Sequence, residues 1–169
     1  MINKFIQGRI YVFVDVANIF YAQRTLGWRL SYHKLMDYFK KECGQNVKCF
    51  VYLAYDENKQ GERKFLDMLD INGYILRTKA IKKIRINKGL ETFKGNLDME
   101  LAFEMVELAE HYDTAILMSG DSDFSVPIDR IKKIGKRIIV ISTRGRISRE
   151  LLKRAKYVDL RKLKAQVAQ

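Results

Sequence analysis

Short apolar runs alternate with longer stretches of helical spacing along the whole chain. Arg9-Ile10-Tyr11-Val12-Phe13-Val14 is β-branched and aromatic and ends at Asp15, the pattern of a central strand buried on both faces. Ile19-Phe20-Tyr21-Ala22 then begins a helical turn. Ser31 is placed to cap a second helix, with Tyr32, Leu35, Met36 and Phe39 on its apolar face and a stop near Gly44. Residues 47–55 read as a strand, with Asp56 at its end. Residues 59–72 read as a helix stopped by Gly73, and 74–80 as a third strand. Residues 81–94 are irregular and basic, and fit either a hairpin extension or a loop. Asn96 is placed to cap a helix over 97–112. Ala115-Ile116-Leu117-Met118, flanked by Thr114, is a further buried strand. The helix after it runs to Ile134, with Pro127 in the first turn, where a missing N–H has no partner to lose. A strand over 137–141, a Ser148-capped helix to Ala155, a short strand over 157–160 and a basic tail over 161–169 complete the pattern.

Strands alternating with helices predict an α/β fold: a three-layer α/β/α sandwich with a mostly parallel central sheet. No linker, repeat or low-complexity segment interrupts residues 1–169, so a single domain is expected, its core spanning about 9–160. No apolar run approaches the roughly 20 residues of a membrane helix. The N-terminus lacks a signal peptide's apolar stretch, so a cytoplasmic location is the default expectation. Cys43 and Cys49 form no ligand motif, and His33 and His111 are isolated, which leaves thiolate-metal and histidine chemistry without a basis.

Charge changes the picture. The formal net charge is +12, and it is unevenly placed. The last forty residues hold fourteen Lys and Arg against Glu150 and Asp159, and 77–94 hold seven against Glu91 alone. Such asymmetry points to a polyanion, above all nucleic acid, whose phosphates bind Lys and Arg with release of counterions.

Against this basic background, aspartates stand where ligands bind in open α/β sheets, at the carboxyl ends of strands. Asp15 ends the first strand. Asp121 and Asp123 occupy the turn Ser119-Gly120-Asp121-Ser122-Asp123-Phe124 between a strand and a helix. In the 97–112 helix, Leu101, Ala102, Met105 and Ala109 fall within about 60° of Asp98. Asp98 therefore faces the core side, whereas Glu100, Glu104, Glu107 and Glu110 read as a solvated face. Unit charges about 4 Å apart repel by roughly 4 kcal/mol at an effective dielectric of 20. Convergent acids must therefore be protonated, spread apart or bridged by a cation. An all-oxygen ligand set selects Mg²⁺ or Mn²⁺. The competing reading of the 119–124 turn is helix capping, with Ser122, Asp123 or Ser125 accepting N–H bonds from the helix start.

Phe13-Val14-Asp15-Val16-Ala17-Asn18, Lys94-Gly95-Asn96-Leu97-Asp98 and the Ser119–Phe124 turn resemble the three signature blocks of NYN domains, in particular the LabA-like branch of the PIN-like nuclease superfamily. The resemblance covers about 9–160. It implies a PIN-like sandwich and a metal-dependent ribonuclease site, with Asp15, Asp98, Asp121 and Asp123 as metal-binding acids and Asn18 as a polar helper near the scissile phosphate. In that reading Mg²⁺ or Mn²⁺ activates a water for phosphodiester hydrolysis. Lys94, Arg144, Arg146 and Arg149 hold flanking phosphates. Single-stranded RNA is the preferred substrate and DNA the second option. The alternative is a non-catalytic nucleic-acid-binding or regulatory module that keeps the fold.

Overall fold

The computed structural model describes residues 1–87 and 90–169, with the backbone only for 82–87 and 90–94. Six strands form one parallel sheet: β1 (Ile10–Asp15), β2 (Lys48–Tyr55), β3 (Ile75–Ala80), β6 (Thr114–Met118), β7 (Arg137–Ser142) and β8 (Lys156–Asp159). Between β3 and β6 the chain makes an antiparallel hairpin, β4 (Lys82–Asn87) with β5 (Leu90–Lys94), so the basic stretch is a hairpin and not a loop. Its tip, 88–89, lies outside the described residues.

The strand order is β3-β2-β1-β6-β7-β8. The register sets Phe13 between Phe50 and Leu117, and Val14 between Val51 and Met118. Side chains alternate across a strand, so each β1 residue is committed to one of two cores. On one face Val12, Val14 and Val51 pack under α1 (Val16–Leu26), α2 (Tyr32–Cys43) and α3 (Gln60–Ile71). On the other, Phe13, Phe50 and Leu117 pack under α4 (Asp98–Glu107), α5 (Ser125–Lys133) and α6 (Arg149–Arg154). This is the three-layer α/β/α arrangement with a parallel sheet. Among the described residues, no helix is long and apolar enough to cross a membrane.

Three features differ from the sequence expectation. Helix α4 begins at Asp98 and ends at Glu107, where a 3₁₀ turn takes over. Asn96 sits one residue outside the cap position and accepts the Asp98 N–H at 2.8 Å. Glu104 does not share the solvated face. Tyr52 Oη donates to it at 2.8 Å, and Arg77 Nη2 lies 2.6 Å from its carboxylate. It stands on the helix flank, about 120° from Asp98, within reach of the sheet.

The basic tail is docked as well. Leu160, Leu163 and Val167 are fully buried in a 3₁₀ turn and the short helix α7 (Lys164–Val167). The Val167 carbonyl accepts the Ser31 N–H at 2.8 Å, and Gln169 N–H donates to Arg29 O at 2.9 Å. Arg161, Lys162 and Lys164 stay exposed, so the segment keeps its charge on the surface while its apolar side seals the first core.

Candidate functional site

The strand order reverses between β1 and β6, which makes their carboxyl ends a topological switch point. Asp15 closes β1 and serves as the N-cap of α1. Its Oδ1 accepts the Asn18 N–H at 3.0 Å, and its Oδ2 accepts the Ser119 hydroxyl at 3.0 Å. The carboxyl is only 6 % exposed. Burial pushes its pKa up to about 6; the Asn18 N–H and Ser119 hydroxyl oppose that rise, and the charges of Asp98 and Asp121 add to it.

At the end of β6, Ser119 is fully buried, and its Oγ also accepts the Asp121 N–H at 3.3 Å. Gly120 N–H donates to the Asn18 carboxamide at 3.1 Å. Asn18 thus ties the α1 start to the β6 turn. Asp121 caps the 3₁₀ turn Ser122–Phe124, its Oδ1 accepting the Asp123 N–H at 3.0 Å. The cap formed here belongs to the 3₁₀ turn; α5 itself starts after Phe124 without a side-chain cap, so Ser122, Asp123 and Ser125 do not cap it. Asp123 is exposed on that turn, and Phe124 is buried in the second core.

Asp98 approaches from α4. Its Oδ2 accepts from the Asn96 carboxamide at 2.7 Å. Partial burial raises its pKa; Asn96 opposes the rise, and Asp121, Asp123 and Glu100 reinforce it. Asp15, Asn18, Asp98 and Asp121 line one cleft of about 440 Å³, walled by Tyr21 and Tyr52. Sequence reasoning passed over Ser119 and Tyr21, and gave Asn96 a capping role only, although Ser119 and Asn96 brace these acids. Both stand next to the acids in the quoted blocks, but only the fold brings Ser119 to Asp15.

The loop after β7 is pressed onto the same place. An added Cβ at Gly120 would stand 1.8 Å from the Arg146 carbonyl oxygen, so only glycine fits there. Ser148 N–H donates to Gly120 O at 2.9 Å, and Ser148 Oγ caps α6. Arg144, Arg146 and Arg149 are exposed around this contact, with Arg146 Nε 3.2 Å from Thr25 Oγ1 on α1. The Lys94 side chain lies outside the described residues.

The donor set does not fit a bound metal. Among the described residues, no group of three His, Cys, Asp or Glu side chains is placed to hold an ion. Both Asp15 oxygens, one of Asp121 and one of Asp98 accept hydrogen bonds within the site. Hydrogen bonds hold these carboxylates in place, and burial raises the pKa of Asp15 and of Asp98.

Comparison with known proteins gives a consistent family picture. The family model "NYN domain" matches residues 9–161. The low amplitude and bright protein LabA of Synechococcus elongatus is 32% identical over 162 residues, covering 94% of this chain and 87% of the relative. A crystal structure of a protein of unknown function from Vibrio parahaemolyticus has the same fold, with a TM-score of 0.76 and 24% identity over 91% of this chain and 93% of that one. The expectation of a metal-dependent ribonuclease using Mg²⁺ or Mn²⁺ is therefore corrected. The acids share a cleft but make no ion-holding group among the described residues, and the relative that matches along nearly the whole chain is LabA.

Proposed function

Because this chain belongs to the NYN domain family, on its LabA-like branch, we propose that it is a non-catalytic nucleic-acid-binding module whose partner is single-stranded RNA. The observation that carries this reading is the set of exposed arginines, Arg144 and Arg146 in the loop after β7 and Arg149 at the start of α6, held against the acidic turn by the close approach at Gly120. Phosphates favour the arginine side, where their counterions are displaced. The acidic cleft repels them and so fixes the path of the strand along its rim. Asp15, Asn18, Asp98 and Asp121 serve as the braced framework of that rim, and Asp123 and Lys94 stand as further contacts to the strand. Carboxylates at the rim accept hydrogen bonds from ribose 2′-hydroxyls, which DNA lacks.

The test is fluorescence anisotropy with labelled single-stranded RNA and DNA in the presence of chelator, over a series of salt concentrations. RNA binds without divalent metal and more tightly than DNA. The Arg144→Ala/Arg146→Ala/Arg149→Ala protein reduces the slope of log K against log salt by about 2, at roughly 0.7 for each phosphate no longer neutralised. Absence of RNA binding at low salt, or Mn²⁺-dependent cleavage of the strand by the purified protein, would overturn the reading.

A further inference from the structure

Helix α1 turns Ile19 and Ala22 fully into the core, with Val16 and Leu26 packed against it. Beside this face it carries Phe20 and Tyr21, which remain 56 % and 52 % exposed. Any polar residue at those positions would leave the core intact, so burial does not account for them. The rings meet nearly edge to face, with centroids 5.8 Å apart and planes at 76°. Arg24, one turn on, sets its guanidinium 5.7 Å from the Phe20 ring centre and 5.2 Å from that of Tyr21. These contacts gather three large side chains into one cluster at the surface.

Its surroundings indicate what it meets. Tyr21 also lines the cleft. Thr25, next after Arg24, receives the Arg146 side chain from the loop that follows β7. Aromatic faces therefore continue from the cleft mouth directly into guanidinium groups. A ligand matching this surface presents flat π systems at one level and negative charge at the next, which describes an unpaired stretch of nucleic acid.

We propose that Phe20, Tyr21 and Arg24 form a stacking platform for unpaired bases, with the strand's phosphates passing to Arg146 and its neighbours. This rests on the nucleic-acid-binding reading above and adds where bases, as distinct from phosphates, are held. Paired bases hide their faces in the duplex stack, so the platform selects single strands.

The experiment uses the full chain with a short single-stranded RNA carrying 2-aminopurine, and an abasic strand of equal length. Wild type binds the RNA and quenches the probe. Phe20→Ala/Tyr21→Ala keeps the wild-type melting temperature, loses about tenfold or more in RNA affinity, and loses the quench. It binds the abasic strand as wild type does, and Tyr21→Phe retains binding. If wild type binds and quenches but the double variant matches it in both, the platform is wrong while the nucleic-acid reading survives. If wild type binds neither strand, the underlying reading fails first.

Discussion

Asp15 holds its charge in a place that resists it. Its carboxyl titrates at about 6 in the fold, above the roughly 3.9 of an unfolded chain, chiefly because it is buried. The folded state therefore binds this proton more tightly than the unfolded state. Asp15's contribution to stability is fully present below about pH 4 and is lost as pH rises through about 6. Asp15→Asn stays neutral, keeps an oxygen for the Asn18 N–H, and offers its amide to Ser119 Oγ. Urea unfolding at pH 4 and pH 7.5 is expected to show the variant gaining about 2 kcal/mol on wild type between the two, since each tenfold difference in proton affinity between folded and unfolded chain is worth about 1.36 kcal/mol and the unfolded carboxyl is already about half ionised at pH 4. Equal pH dependence in both proteins would place the titration elsewhere. The candidate acids were legible as residues because they end apolar runs. Their bracing by Ser119 was not, because 104 positions separate it from Asp15.

At the scale of elements, period and caps located the strands and helices well, since local hydrogen bonding and one buried face decide both. Ser31 and Ser148 cap α2 and α6 as read from the sequence. Glu104 departed from its pattern because a helix-flank residue answers to whatever lies opposite, here Tyr52 and Arg77. The C-terminal segment departed for a similar reason. Leu160, Leu163 and Val167 are sparse among charges, too few to announce a core face, yet all three are fully buried. Leu163→Ala is expected to cost about 2–5 kcal/mol in a chemical denaturation series, as for other buried leucines. A cost near zero would mean that the segment is not docked in solution.

For the whole molecule, the decisive pairing is an acidic cleft at the switch point beside an arginine loop, on a chain of net charge +12. The acids are held by their own hydrogen bonds, and among the described residues none of their groupings is placed to hold an ion. Mg²⁺ or Mn²⁺ is therefore expected to leave the melting temperature where an equal ionic strength of NaCl leaves it, and chelator is expected to change nothing. A rise specific to the divalent ions would contradict this account of the cleft.

The amino-acid sequence determined the α/β order, the family blocks and the basic excess, because each is written in neighbouring residues or in summed charge. Tertiary structure decided which groups hold the aspartates that meet across the sheet, as Ser119 and Asn18 hold Asp15, and which basic groups stand beside them. Those outcomes turn on separations of an ångström or two between segments distant along the chain. They follow from how β1, β6 and the loop after β7 are packed, as at Gly120, where the backbone of one loop leaves no room for a side chain on another.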